Sequence, residues 1–207
     1  QMNVNAANSL LKTLEEPAAG TLLCLICEQP NKLPATIRSR CQTLTLPPPP
    51  EPQALEWLRP RMEGADAAVL LRLAHGAPLR ALALAKEQTR AQRDQLFAGF
   101  VAVGEGERDP LAEAAAWIKA EPGISLEWLV DWVGDLLRLT SGHEAPRLVN
   151  VDKERELRAL AERIRPADAH RFLQQVLKAR AAEDTTLNAQ LRNESLLMRW
   201  AQIGAGS

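Results

Sequence analysis

The sequence lacks an excess of charge of either sign. Its 25 lysine and arginine residues nearly balance 26 aspartate and glutamate residues, for a formal net charge of −1. A protein that binds nucleic acid on its own usually presents a strong positive field. The balance therefore argues against a stand-alone nucleic-acid binder. A local basic face remains compatible with it, because net charge averages over the whole surface.

Cysteine is scarce, and long apolar runs are missing. The three cysteines, at 24, 27 and 41, are an odd number, which favours reduced thiols in the cytoplasm. Cys24 and Cys27 form a C-x-x-C pair, but they lie in the apolar run 22–27 and no second pair follows. Their context predicts small buried hydrophobic residues and no metal site. No apolar run reaches the ~18 residues that span a membrane, so we expect no membrane partner.

The phosphate-binding loop pattern G-x-x-x-x-G-K-[ST] is also missing from these residues. Without it the chain as given holds no complete Mg-ATP site, and we expect no cofactor of its own. The chain begins at Gln1 and opens almost directly into a helical pattern. We therefore expect it to be the C-terminal part of a longer protein.

The first 46 residues carry the pattern of an α/β layer. Apolar residues at helical spacing predict a helix over 4–16, which Pro17 ends. The continuous apolar run Thr21–Cys27 predicts a strand covered on both faces, and the alternation over 43–46 predicts a second short strand. Two strands cannot bury a core by themselves, so this part is expected to be a piece of a larger α/β core.

The run Pro47–Pro50 followed by Pro52 predicts a stiff linker over 47–51. Beyond it nearly every pattern is helical. Three short helices, the second capped by Asp66, form a module over 52–90, and longer helices form an all-α bundle over 91–207. The longer helices are predicted at about 92–103, 109–120, 125–140, 152–164, 166–184 and 187–203. The fold class is therefore mainly α.

The tripeptide Ser39-Arg40-Cys41 stands in a short polar segment between the predicted buried strand and the proline run. In such a place a guanidinium can project from the protein instead of packing into it. Phosphoryl transfer spreads negative charge over the γ-phosphate oxygens, and a planar, permanently charged guanidinium offers paired donors to them. Taken alone, the pattern favours a surface arginine in a local salt bridge, since surface charges are common.

The segments N-A-A-N-S-L-L-K-T-L-E-E-P at 5–17 and L-P-A-T-I-R-S-R-C at 33–41 resemble the bacterial clamp-loader ATPases of the AAA+ class, in particular the delta-prime subunits of DNA polymerase III. The segment N-A-Q-L-R-N-E-S-L-L-M-R-W at 188–200 is similar to the closing helix of that family's collar. The resemblance implies the end of a RecA-like AAA+ core over 1–46, a three-helix lid over 52–90 and a helical collar over 91–207.

The resemblance also implies roles for single residues. Arg40, with its motif neighbours Ser39 and Cys41, matches the arginine finger, which acts on ATP bound to a neighbouring subunit. Arg80, in G-A-P-L-R-A-L-A-L at 76–84, matches the sensor 2 arginine, which reaches nucleotide bound to its own subunit. Cys27 stands at the sensor 1 position, usually a polar residue. A thiol is a weak hydrogen-bonding group, so this departure argues against hydrolysis within the subunit.

The family resemblance thus implies a cytoplasmic, non-catalytic subunit of the replicative polymerase assembly, with ATP-Mg on the neighbouring subunit. Its expected partners are gamma/tau-type and delta subunits and, through the assembled complex, the sliding clamp and primed DNA. Three alternatives stay open. Arg80 favours a gamma/tau-type ATPase subunit and Cys27 disfavours it; a helical adaptor would scaffold partners with Arg40 inert; and direct DNA binding would need a basic face.

Overall fold

The computed structural model describes most of the chain. The described residues are 4–27, 30, 33–62, 66–119, 123–141, 147–182 and 188–206, with side chains described from residue 10 onward. They divide into two compact units, Gln1–Pro47 and Pro48–Ser207. The division falls within the proline run that predicted a linker.

Within the described residues the structure is helical and contains no β-strand, which confirms a mainly α fold. Two single-turn 3₁₀ helices cover Arg59–Arg61 and Val151–Lys153. The α-helices, in chain order, are α1 Val4–Glu15, α2 Ala35–Arg38, α3 Glu51–Leu58, α4 Ala67–Leu73, α5 Pro78–Leu84, α6 Glu87–Gly104, α7 Pro110–Trp117, α8 Ile124–Thr140, α9 Glu154–Arg163, α10 Pro166–Ala181 and α11 Ala189–Ala205. The predicted helix limits at 120, 184 and 187 lie outside the described residues.

The two predicted strands, over 21–27 and 43–46, are wrong for this structure. Both segments are irregular and carry no strand pairing. Their apolar side chains are exposed instead of covered, with Leu22 at 85% and Ile26 at 98% exposed. A strand needs a neighbour to satisfy its backbone hydrogen bonds, and the described residues of this unit supply none. For the same reason Cys24 and Cys27, predicted to be buried, are exposed thiols.

In the first unit the packing is slight. α1 ends at Glu15, where Glu16 N donates to Lys12 O at 3.0 Å. α2 is a short helix whose residue Ile37 is 1% exposed, the one buried residue among the side chains described in this unit. Ile37 therefore anchors α2 and, with it, the turn that follows.

The second unit begins with the three short helices α3, α4 and α5. Asp66 caps α4, as predicted, by accepting hydrogen bonds from the backbone N–H groups of Ala68 and Val69. Pro78 starts α5 directly after a turn at His75 and Gly76, both of which adopt positive φ. Leu58, Leu70 and Leu84 bury their side chains in a core that continues into the longer helices.

Aromatic side chains fill the centre of the longer helices α6 to α11. Trp132 and Trp200 are fully buried. Phe100 stacks on Trp200 with ring centroids 4.3 Å apart, and Trp200 Nε1 donates to the Phe100 carbonyl oxygen at 2.7 Å. Trp132 and Trp200 thus belong to the core, whereas Leu191 of α11 is 64% exposed.

The helices α6 and α11 cross at two glycines. A Cβ on Gly204 would lie 1.8 Å from the Gly104 carbonyl oxygen, a distance no real side chain tolerates. The absence of a side chain at this position allows the two backbones to touch, and this close crossing brings Trp200 against α6. The glycine is therefore required by packing and not by an unusual backbone angle.

No single described helix is both long and apolar enough to cross a membrane. The pair α4 and α5, bent by 108°, reaches that length and composition only when its helices are taken together. Leu70, Leu71, Leu73 and Leu84 of this pair are buried in the core. Burial inside the unit accounts for the pair's apolar character.

Candidate functional site

The motif Ser39-Arg40-Cys41 forms the turn that follows α2. Ser39 N donates to Ala35 O at 3.0 Å and Arg40 N donates to Ile37 O at 3.1 Å, so the turn continues the helix by one more set of backbone bonds. Buried Ile37 holds α2 in place beneath it. The fold thus presents Arg40 on the surface from a locally well-defined backbone.

The guanidinium of Arg40 is bound by groups of its own unit. Its Nε donates to Glu15 Oε1 at 2.6 Å, and its Nη2 forms a salt bridge with the same oxygen. Its Nη1 donates to the Thr36 carbonyl oxygen at 2.9 Å and to Ser39 Oγ at 3.3 Å. The side chains of Arg40 and Glu15 are 34% and 47% exposed, so solvent screens the pair and a ligand can reach it.

The two motif neighbours of Arg40 differ. The Ser39 hydroxyl donates to the Thr36 carbonyl oxygen at 3.1 Å and accepts from Arg40 Nη1, so it contacts the guanidinium directly. Cys41 is a free, half-buried thiol whose backbone N–H donates to Arg38 O at 3.4 Å. Ser39 therefore shapes the surroundings of the arginine, while Cys41 contributes to the turn.

Sequence reasoning did not identify Glu15 as a partner of Arg40. Glu15 and Arg40 are brought together only by the packing of α1 against α2. A signal was nevertheless present in the sequence. A carboxylate in the last turn of a helix faces the negative end of the helix dipole, and it is stabilised there by a cation.

Arg80, the predicted sensor 2 arginine, lies in the first turn of α5 in the second unit. Its Nη2 forms a salt bridge with Glu127 of α8, and the same carboxylate accepts from Arg180 of α10 at 2.7 Å. The Arg80 side chain is 34% exposed. The arginine thus links three helices of its own unit, and its charge is already paired.

A second contact lies beside this network. His75 Nε2 and Asp131 Oδ2 are 3.1 Å apart. The hydrogen bond to the Asp131 carboxylate raises the pKa of His75 above its usual value of 6.5, against the opposing effect of partial burial. His75 and Arg80 together tie the turn and start of α5 to α8.

Cys27, at the predicted sensor 1 position, is exposed in the irregular segment after α1. Within the part of the chain that the structure describes, no group of three or more His, Cys, Asp or Glu side chains could hold a metal ion. Arg40 and Cys27 belong to the first unit and Arg80 to the second. The structure therefore presents the predicted residues as separate features of two units.

Two protein-family models match the chain. One, described as DNA polymerase III, delta subunit, matches residues 1–50, and the other, described as DNA polymerase III, delta subunit, C terminal, matches residues 87–202. Together they include both the segment with Arg40 and the helices from α6 onward.

Curated relatives agree with these models. The chain is 34% identical to DNA polymerase III subunit delta' of Pseudomonas aeruginosa over 209 aligned residues, which cover 98% of this chain and 63% of that protein. It is 35% identical to the protein of the same name from Escherichia coli K12, over 94% of this chain and 58% of the relative. The chain thus spans about three fifths of the length of these relatives. A shorter match, 49% over 41 residues, links 20% of the chain to 7% of DNA polymerase III subunit tau of Bacillus subtilis.

Proposed function

The chain belongs to the DNA polymerase III delta-prime subunit family, and from that premise we propose that it serves as a clamp-loader subunit that assists ATP hydrolysis on a neighbouring subunit. In this proposal Arg40 is an arginine finger that acts in trans. The ATP and its Mg²⁺ are bound by an adjacent gamma/tau-type subunit, and hydrolysis is coupled to closing a sliding clamp on primed DNA.

The observation that carries the proposal is the placement of Arg40. It lies on an exposed turn fixed by buried Ile37, and the partners of its guanidinium among the described residues lie at the surface of its own unit. A phosphate of a neighbouring subunit can therefore reach it. An arginine supplied in trans raises the rate of nucleotide hydrolysis at the site it serves by roughly 10³- to 10⁵-fold.

The rest of the chain has supporting roles in this proposal. Residues 52–90 act as the lid and residues 91–207 as the collar, which joins a ring with gamma/tau-type and delta subunits in the cytoplasm. The chain by itself hydrolyses no ATP, because it lacks the phosphate-binding loop. Arg80 is occupied by Glu127 in the structure, so a role as sensor 2 would require it to exchange this partner for a nucleotide.

The test is the variant Arg40→Ala in the intact subunit, assembled with its ATPase partners, clamp and primed DNA. We expect steady-state ATP hydrolysis at the site served by Arg40 to fall by about 10³-fold or more, because charge on the γ-phosphate loses its donors. Arg40→Lys should restore little of the ATP hydrolysis, since an ammonium lacks the planar pair of donors.

Arg38→Ala is the matched control, because Arg38 is an exposed arginine at the end of α2, two residues before Arg40. We expect it to hydrolyse ATP normally. Both variants should assemble into the complex as judged by size-exclusion chromatography. DNA-stimulated hydrolysis that is unchanged in Arg40→Ala would disprove the role of the finger.

A gamma/tau-type subunit is the second candidate, and the match to the tau subunit of Bacillus subtilis favours it. That match covers 20% of the chain, whereas the delta' relatives cover nearly all of it. Cys27 at the sensor 1 position further disfavours hydrolysis by this subunit. ATP binding by the isolated intact subunit, measured by calorimetry, would favour the gamma/tau type.

A scaffolding adaptor is compatible with the salt bridge between Arg40 and Glu15, since an inert arginine would form the same contact. The adaptor predicts that Arg40→Ala leaves both assembly and hydrolysis intact. The Arg40→Ala experiment therefore separates this alternative from the arginine finger without a further variant.

A further inference from the structure

Glu15 and Arg40 form the one contact between a carboxylate and the candidate finger among the residues that the structure describes. We propose that Glu15 is a positioning residue for Arg40. It holds the Nε–Nη2 edge of the guanidinium so that the far end of the group presents its donors to the γ-phosphate of the neighbouring subunit. This inference rests on the function proposed above for Arg40.

The hydrogen-bond donors of Arg40 are nearly all in use. A guanidinium has five N–H donors. Nε and Nη2 each direct one to Glu15, and Nη1 donates to the Thr36 carbonyl oxygen and to Ser39 Oγ. These contacts leave one N–H of Nη2 unused. Because two phosphate oxygens need two parallel donors, Arg40 must release at least one contact when it binds them.

The contacts of Arg40 differ in how costly they are to release. The two contacts of Nη1 are to neutral oxygens, and the one to Ser39 is long at 3.3 Å. The guanidinium is charged in all of these contacts, but only those to Glu15 join it to an opposite charge, so they are the stronger ones. Release of Nη1 is therefore the cheaper change. It leaves Nη1 and Nη2 side by side as a pair of free donors, with Glu15 still in place.

Glu15 and Arg40 are both attached to backbone held by a helix or a helical turn. Glu15 is the last residue of α1, just before Pro17, and Arg40 follows α2, which buried Ile37 anchors. The carboxylate therefore restrains a long side chain that otherwise samples many rotamers. A partly exposed pair of this kind contributes little to folding stability, so its removal should alter the orientation of Arg40 and not the fold.

The experiment compares Glu15→Ala and Glu15→Gln with the unaltered chain, each in the intact subunit within the assembled complex. We expect Glu15→Ala to lower kcat for ATP between about 10- and 100-fold, because a misplaced catalytic group costs rate on that scale. KM for ATP should stay unchanged, since the finger acts in the transition state. Glu15→Gln keeps the size of the side chain and one hydrogen-bond acceptor, so it should lower kcat by less than Glu15→Ala.

The double variant Glu15→Ala/Arg40→Ala provides the decisive comparison. If Glu15 acts through Arg40, removing Glu15 from a complex that already lacks Arg40 should change kcat no further. Glu16→Ala is the matched control, because Glu16 is the adjacent exposed carboxylate, whereas the described contact with Arg40 is made by Glu15. It should hydrolyse ATP at the normal rate, and circular dichroism should show the same helix content in every variant.

Each other outcome has a definite meaning. A normal kcat in Glu15→Ala, together with a reduced one in Arg40→Ala, overturns the positioning role and leaves the finger intact. A raised kcat in Glu15→Ala also overturns it, because Glu15 would then compete with the phosphate. If removing Glu15 lowers kcat by the same factor in the presence and in the absence of Arg40, Glu15 acts elsewhere. A normal kcat in Arg40→Ala removes the proposed function itself, and this inference with it.

Discussion

The two arginines that the sequence motifs single out differ in how their guanidinium groups are held. Arg40 has one carboxylate, of Glu15, and two neutral oxygens at the surface of the first unit. Arg80 shares the carboxylate of Glu127 with Arg180, and this network links α5, α8 and α10. A change at Arg80 therefore disturbs the packing of three helices, whereas a change at Arg40 disturbs one short turn.

At the residue scale, His75 provides a pH-dependent contact beside the Arg80 network. Asp131 raises the pKa of folded His75 above 6.5, its usual value in an unfolded chain. The contact then contributes its full stability below about pH 6.5 and loses it as the pH rises through the folded pKa. We expect the free energy of unfolding to fall by less than about 1 kcal/mol across this window, because the His75 side chain is 50% exposed.

The measurement is the pH dependence of the thermal midpoint between pH 5.5 and 8.5 for the unaltered chain and for Asp131→Asn. The variant keeps the shape of the side chain and removes the charge that raises the pKa. Arg80 and Glu127 also face His75, and both remain in the variant. A difference in thermal midpoint between the unaltered chain and Asp131→Asn that stays constant over this pH range would contradict the prediction.

At the scale of elements, one buried aspartate joins α8 to the segment that precedes α9. Asp135 is fully buried and accepts from the backbone N–H groups of Val149 and Asn150, from Asn150 Nδ2 and from Arg138. Arg93 of α6 donates to Asn150 Oδ1 at 2.7 Å from the other side. The segment is thus fixed by polar contacts between two helices of the bundle.

We expect Asp135→Ala to lower the free energy of unfolding by about 3 kcal/mol, because it leaves buried backbone N–H groups without an acceptor. Urea denaturation measures the loss, and hydrogen exchange should show faster exchange of the Val149 and Asn150 amides. Glu154→Ala is the comparison. Glu154 forms an exposed i,i+4 pair with Arg158, which is worth at most about 0.5 kcal/mol. An equally small loss in Asp135→Ala would show that this anchor is dispensable.

At the scale of the whole molecule, the two units have very different interiors. The large hydrophobic core lies in Pro48–Ser207 and includes residues of all its α-helices from α3 to α11. In Gln1–Pro47 the one buried residue among the described side chains is Ile37, while Leu22, Ile26 and Leu44 are exposed. Burial of apolar surface is the main favourable term in folding, so the second unit holds most of the folding free energy.

We therefore expect a chain that starts at Pro48 to fold by itself. Circular dichroism should show cooperative thermal unfolding, with a midpoint close to that of the full chain. A chain of residues 1–47, the natural control, should show no cooperative transition, because one buried residue cannot offset the entropy of ordering it. A non-cooperative transition in the fragment that begins at Pro48 would contradict this prediction.

The sequence alone determined the features that depend on local pattern. Helical spacing, the Asp66 cap and the prolines predicted the helices, because these signals act within one or two turns of chain. The motif around Arg40 likewise identified the candidate finger. The split of the second unit into lid and collar stays a prediction, as do the roles of Arg40, Arg80 and Cys27.

Tertiary structure decided what depends on residues distant in the chain. The apolar run 21–27 has the composition of a buried strand, but strand and burial both require neighbours that the described residues do not supply. Glu15 meets Arg40, and Glu127 meets Arg80, only because separate helices pack together. Local pattern thus predicted which arginine to consider, and tertiary packing decided which groups hold its guanidinium.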